Sequence, residues 1–137
     1  MRRFIIEQSD AEFTSHSGLA LVGMALNNHG GLPEVVDREV PLRHGISHGD
    51  GLRAYIGLLC LGKSDFEAIN GFREDAYFAE SLDLERVPSE GILRQRMDAF
   101  AADYRAAVEN AAIEFLRRSG ARLTALDNGL MPLDCDV

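Results

Sequence analysis

Two carboxylates near the end of the sequence are the side chains best suited to chemistry. Asp134 and Asp136 stand at positions i and i+2 of a short apolar run, and side chains at that spacing point to the same face of a β-strand. Carboxylates placed in this way can hold a divalent cation for phosphoryl transfer. Surface strands also carry aspartates, so the pair by itself does not identify a metal site.

A second group consists of the consecutive residues Arg94, Gln95 and Arg96, which lie in a predicted helix that follows a short helix and a turn. This layout is typical of a helix-turn-helix, in which the second helix contacts DNA. We expect these three side chains to face outward and contact bases or phosphates. Helix pairs of this kind also occur in all-α folds that do not bind DNA, and Glu90 and Asp98 offset the two arginines.

The histidines offer a weaker signal. His44 and His48 have the four-residue spacing of a helical metal pair, but a glycine follows each of them and disfavours a helix there. We therefore interpret this segment as a solvated loop. His16 and His29 flank the first predicted helix and are interpreted as capping or surface residues.

These residues must be positioned by helices, because helical periodicity dominates the sequence. A helix that is apolar on nearly all sides, with Asp50 as its predicted N-cap, is expected to be the central buried element. Ser89 is the predicted cap of a later helix, and Gly120 is predicted to end the last one. The predicted helical segments span about 18–28, 34–40, 51–61, 65–70, 74–81, 89–100 and 103–118, and a β-like run is predicted over 3–7.

The predicted fold is mainly α, a compact bundle of about five to seven helices with a helix-turn-helix-like pair, ending in the start of a β-strand. No linker rich in Pro, Gly or Ser divides the chain. We predict a helical module over residues 1–129 and the first strand of a following domain over 130–137. The sequence stops inside that strand, so we expect a fragment of a longer protein.

Composition limits the function classes. The chain of 137 residues has a formal net charge of -8, which argues against a strongly basic nucleic-acid module and requires any DNA contact to be local. Cys60 and Cys135 lie in apolar runs without disulfide or zinc spacing. The sequence shows no signal-peptide pattern and no apolar stretch of the roughly 20 residues that cross a bilayer. We expect a cytoplasmic protein without a membrane partner.

Several short motifs extend together over most of the chain. They comprise the segments 14–19 (TSHSGL), 62–69 (GKSDFEAI), 73–78 (REDAYF), 87–96 (VPSEGILRQR) and 133–137 (LDCDV). Their order and spacing are more specific than any one of them, and they resemble the N-terminal part of bacterial insertion-sequence transposases of the DDE type.

The resemblance implies a helical region followed by an RNase-H-like catalytic domain, whose first strand carries the first acid of an Asp-Asp-Glu triad. It assigns that catalytic, metal-binding role to Asp136, with Asp134 as the alternative. The intact parent would use Mg2+ or Mn2+ to cleave DNA and transfer strands, with the terminal inverted repeats as its DNA partner and a homodimer as a further expectation. The remaining acids would lie downstream, so this chain alone is expected to be inactive.

Two other readings remain open. A helical protein–protein interaction or dimerisation module without DNA contact would explain the same helices, with the arginine-bearing helix as an ordinary solvated surface. A complete regulator of the helix-turn-helix type is disfavoured by the end of the sequence within a predicted strand.

Overall fold

The computed structural model describes residues 8, 14–120, 122 and 124–130. Within these residues the chain forms five α-helices and one 3-10 helix. In chain order they are α1 (Leu19–His29), α2 (Leu32–Glu39), α3 (His48–Cys60), the 3-10 helix (Phe66–Phe72), α4 (Ala76–Ser81) and α5 (Glu90–Ser119). The predicted mainly α fold is confirmed, and the helix count falls in the predicted range. The predicted strands over 3–7 and 130–137 lie, apart from Leu130, outside the described residues.

Local capping chemistry explains several helix ends. The Ser89 hydroxyl accepts a hydrogen bond from the Ile92 amide at 3.3 Å, which starts α5 where the sequence predicted. Asp65 accepts the Ala68 amide at 3.0 Å and starts the 3-10 helix. Gly120 adopts a left-handed conformation with φ 65° and ends α5, as predicted.

The start of α3 differs from the prediction. Ser47, not Asp50, is the N-cap, because its hydroxyl accepts the Asp50 amide at 2.9 Å. The helix therefore begins at His48, three residues before the predicted start at 51. The signal was present in the sequence as Ser47-x-x-Asp50, a serine followed three residues later by an acid.

The helices predicted over 89–100 and 103–118 correspond to the two parts of α5, which meet at a kink at Phe100, so the predicted division falls where the structure bends. The backbone of Phe100 departs from helical geometry, with φ -120° and ψ 19°. Ala101 and Ala102 follow the kink, and since alanine is the strongest helix former, the helix resumes directly after Phe100. After the kink, α5 packs on α2 through Tyr104 and Ala107, whereas before it Glu90 and Arg94 contact the 3-10 helix.

Helix α3 lies at the centre of the bundle and contacts α1, α2, α5 and the 3-10 helix. One hydrophobic cluster surrounds Leu58 and Phe78, both fully buried, and includes Ile69 and Leu82. A second hydrophobic cluster joins α2, α3 and α5. Its buried members are Leu32, Val36, Leu52, Tyr104 and Ala107. The predicted central position of this helix is confirmed.

The predicted helix-turn-helix-like pair corresponds to α4 and α5. Their connection, residues 82–89, is eight residues long, whereas the DNA-reading motif uses a turn of about three or four. Helix α4 packs mainly on α1, and α5 packs on α2, α3 and the 3-10 helix. The order of the elements is that of the motif. The two helices, however, pack mainly on other helices of the bundle and not on each other.

A buried arginine connects four elements. Arg53 of α3 is only 6 % exposed. Its Nη1 donates to Oδ1 of Asn27 in α1 at 2.7 Å and to the carbonyl of Leu82 after α4 at 3.3 Å. Its Nη2 donates to Oε1 of Glu34 in α2 at 3.5 Å. One guanidinium therefore sets the relative positions of α1, α2, α3 and the end of α4.

We expect Arg53→Met to lower the free energy of unfolding by about 1–3 kcal/mol, because the buried Leu82 carbonyl loses a charged donor. Glu34→Gln is the matched control in the same network. Glu34 is 68 % exposed, so its loss should cost less than about 1 kcal/mol. Urea unfolding of both variants measures the difference, and equal losses would contradict the central role given to Arg53.

Helices α1 and α4 approach closely at Gly23. A Cβ atom at this position would collide with the carbonyl oxygen of Ser81, which is backbone and cannot rotate away. Gly18, the N-cap of α1, supplies no side-chain hydrogen bond to that helix. The missing side chain at Gly23 nevertheless lets α1 lie tightly against α4.

Gly23→Ala should therefore destabilise the protein by about 1–3 kcal/mol, the usual cost of overpacking. Gly91→Ala is the control within another helix, where a Cβ meets nothing within 4 Å. There the change should stabilise by about 0.5–1 kcal/mol, since alanine is the better helix former. Thermal unfolding followed by circular dichroism checks both, and a neutral Gly23→Ala would show that the two helices can separate at little cost.

Candidate nucleic-acid interface

The first two turns of α5 carry the residues predicted to face DNA. Val87 and Pro88, immediately before the helix, are buried, and the Ser89 cap fixes where the helix starts. Leu93 packs into the core at 1 % exposure. These anchors fix the rotation of α5 about its axis, and therefore the directions in which the side chains of residues 94–96 point.

Arg94 reaches the surface in a fixed orientation. Its Nη2 donates to Oε1 of Glu90 at 2.9 Å, and the guanidinium carbon lies 5.6 Å from the centre of the Phe66 ring. Asn70 donates to the other Glu90 oxygen at 3.4 Å. The Arg94 side chain is nevertheless 57 % exposed, so the cation is oriented by its neighbours and still accessible to an anionic partner.

Gln95 is exposed, but Arg96 is not directed outward as predicted. Its Nη2 lies 3.6 Å from the position that a Cβ on Gly45 would occupy, and its Nη1 is buried without a hydrogen-bond partner among the described residues. The physical reason is helical geometry, because three consecutive residues spread over about 200° of the helix circumference. Arg94 and Arg96 therefore face different parts of the bundle, and Gln95 lies between them.

Arg96 belongs instead to a polar cluster where α2, α3 and α5 meet. His48 is 1 % exposed, and its Nδ1 is hydrogen-bonded to the hydroxyl of Tyr104. The imidazole packs edge-on against Phe100 at 4.7 Å, at the kink in α5. Asp37 of α2 accepts the Gly49 amide at 2.9 Å beside it. The prediction that His44 and His48 share a solvated loop is correct for His44, which is exposed, and wrong for His48.

Burial determines the protonation of this cluster. Desolvation, helped by the positive charge of Arg96 and opposed by Asp37, holds the pKa of His48 below its usual value. Desolvation likewise raises the pKa of Tyr104. Both shifts favour the neutral forms of the two hydrogen-bonded rings. The sequence showed His48 only as half of a spaced pair, and the Ser47 cap was the feature that could have placed it in a helix.

A second polar pair lies at the other end of the bundle. His16, interpreted from the sequence as a capping or surface residue, donates a hydrogen bond from Nε2 to Oδ2 of Asp75 at 2.9 Å. The other oxygen of Asp75 accepts the Phe78 amide at 3.0 Å and caps α4. That amide, together with the His16 contact, lowers the pKa of the Asp75 carboxyl. The pair connects the start of α1 to α4, which is a structural role.

The predicted catalytic and metal-binding residue Asp136, and its alternative Asp134, lie outside the described residues. Across residues 14–120, 122 and 124–130 the structure shows no group of three or more His, Cys, Asp or Glu side chains that could hold a metal ion. Cys60 is a free thiol at the surface. In the same part of the chain, no helix has the length and apolar character needed to cross a membrane.

Comparison with models of protein families, with curated proteins and with solved structures gave no match to this chain.

The lowered pKa of His48 has a consequence for stability. Between its folded-state pKa and its unfolded value of about 6.5, the unfolded chain binds more protons than the folded chain. Stability should therefore fall as the pH drops below about 6.5, by at most about 1.4 kcal/mol per pH unit for this one group. Urea unfolding as a function of pH measures the decline.

His48→Phe should remove that decline, while His44→Ala, at an exposed position, should leave it in place. NMR titration of the imidazole signals in the unaltered protein gives an independent measurement. His48 should titrate below the usual histidine value of about 6.5, and titration at or above that value would show that the His48 ring is solvated.

Proposed function

We propose that this chain is the helical N-terminal module of a DDE-type insertion-sequence transposase. In this proposal it contributes to recognition of terminal inverted repeats or to the pairing of transposase subunits. Metal-dependent DNA cleavage and strand transfer belong to the intact parent protein.

One observation supports the proposal most strongly: the four segments of the resemblance that lie within the described residues contact one another in pairs. The segment 14–19 meets 73–78 through the His16–Asp75 pair and through the Tyr77 hydroxyl, which donates to the Ser17 carbonyl at 2.9 Å. The segment 62–69 meets 87–96 where Arg94 covers Phe66. Each of these segments also contributes a buried residue to one hydrophobic cluster, namely Leu19, Ile69, Phe78 and Leu93. Segments far apart in sequence thus pack together, as expected if they form a single functional unit.

The proposed DNA contact is local, as the net charge of -8 requires. Arg94 and Gln95 are exposed on neighbouring positions of α5, and an arginine can bond guanine or phosphate in a bidentate manner. Glu90 and Phe66 hold the Arg94 guanidinium before any partner arrives, which reduces the entropy lost on binding. Arg96 is proposed to have a structural role and not to contact DNA directly, because it faces Gly45 and His48.

The proposed chemistry of the parent is attack of water, and then of a DNA 3'-hydroxyl, on a phosphodiester bond. Mg2+ or Mn2+ would supply charge stabilisation and activation of the nucleophile. From this chain, Asp136 is proposed as the one contributed ligand, with Asp134 as the alternative. Since a single carboxylate does not assemble a two-metal site, the chain alone is proposed to be inactive.

The second candidate is a helical interaction or dimerisation module without DNA contact. The ion pair between Arg94 and Glu90 favours it, because a neutralised arginine attracts phosphate less strongly. Binding to DNA distinguishes the two candidates directly.

The test uses duplexes made from the DNA that flanks the gene on either side, measured by fluorescence anisotropy at two salt concentrations. Under the proposal the chain binds a terminal duplex more tightly than a scrambled one, and binding weakens steeply with salt. Arg94→Ala should cost about 1–3 kcal/mol of binding free energy, and the salt slope should fall by about one unit if Arg94 contacts a phosphate.

Arg38→Ala is the control, because Arg38 is an exposed arginine on α2, outside the proposed surface. Its affinity should equal that of the unaltered chain. Equal losses for both variants would indicate a nonspecific charge effect. Absence of binding to any duplex would leave the interaction module as the better account.

A further inference from the structure

The second half of α5, residues 101–119, is supported on one side only. Tyr104 and Ala107 are buried against the bundle. On the remainder of its circumference three large apolar side chains reach solvent: Val108 is 41 % exposed, Leu116 is 56 % exposed and Ile113 is 66 % exposed. A helix with this much exposed apolar surface commonly marks an interaction site.

Beside these residues lies an open groove of about 350 Å³ with an almost entirely apolar lining. It runs between the end of α1, the start of α2 and α5. The lining residues are Leu26, Gly30, Leu32, Val108, Ala111, Ala112, Phe115 and Leu116. Val108, Ala112 and Leu116 follow one another at four-residue intervals, so they share one face of α5 and form the groove's outer wall.

Charge indicates what could cover this groove. The whole chain carries a net charge of -8, so two copies repel each other over most of their surfaces. Residues 101–119 are an exception, with three acidic residues (Asp103, Glu109 and Glu114) balanced by three arginines (Arg105, Arg117 and Arg118). This face is one where a second copy of the same acidic chain can approach without that repulsion.

We propose that the groove is occupied by a second copy of this chain, with the two α5 helices crossing antiparallel near Ala112. The small side chain of Ala112 permits close approach at the two-fold axis. This register places Val108 against the partner's Leu116, and the reverse contact forms by symmetry. It also places Arg105 beside the carboxyl end of the partner's helix, where a cation is favoured by the helix dipole.

As an account of subunit pairing the inference rests on the proposed function, but its test does not require DNA. A monomeric chain that binds the terminal duplex would defeat this inference alone. A dimer that binds no duplex would defeat the DNA contact alone.

The test is sedimentation equilibrium of the full 137-residue chain over a range of concentrations without DNA. The unaltered chain should show a monomer–dimer equilibrium. Leu116→Asp should raise the dimer dissociation constant at least about tenfold, a change of 1.4 kcal/mol, because it buries a charge in the apolar contact. Leu21→Asp is the matched control, since Leu21 is 69 % exposed on α1, outside the groove, and it should leave the constant unchanged.

Ala112→Glu, at an exposed position on the proposed crossing point, provides a second variant if Leu116→Asp does not fold. Circular dichroism establishes that each variant keeps its helices. A chain that stays monomeric at every concentration overturns the proposal. So does a dimer that the Leu116 and Ala112 variants weaken no more than Leu21→Asp does.

Discussion

The arrangement of the bundle depends on how the buried cation of Arg53 is satisfied. A guanidinium at 6 % exposure is tolerated only where acceptors replace the water it has lost. The planar, multidentate form of the arginine head meets this need in one place, since it reaches Asn27, Glu34 and the Leu82 carbonyl together. Because each acceptor belongs to a different element, the helices cannot shift independently. The hydrophobic clusters on either side of α3 then fill the space that this network defines.

The kink in helix α5 divides its surface into two regions. Its first half contacts the 3-10 helix and displays Arg94 and Gln95, while its second half packs on α2 and forms the wall of the apolar groove. The division falls at Phe100, where the ring meets buried His48. The buried His48–Tyr104 pair is therefore the junction between the proposed DNA surface and the proposed subunit contact. Burial between three helices keeps both rings neutral. The same His48 ring packs on Phe100 at the kink.

An acidic protein that contacts DNA must concentrate its positive charge, and α5 shows how this chain could do so. Glu90 and Phe66 hold the Arg94 side chain. The contact with Glu90 partly neutralises the arginine charge, but both contacts fix the orientation of its guanidinium. Arg96 is two residues further on, about 200° around the helix, and lies beside the loop at Gly45 instead. The candidate surface is therefore narrower than the triplet suggested by sequence. The metal chemistry implied by the resemblance depends on Asp136 or Asp134, beyond the described residues, and stays a prediction.

The sequence by itself determined the features that depend on neighbours along the chain. Ser89 and Gly120 marked the ends of α5, and the apolar run after Asp50 identified the central helix, because capping and periodicity act within a few residues. Tertiary packing decided the rest. Whether His48 is solvated, whether Arg96 faces outward and how closely Gly23 approaches Ser81 all depend on which helix lies opposite. A local pattern gives a side chain its angle on a helix, but only the packing of distant segments determines whether that angle points to water or to another helix.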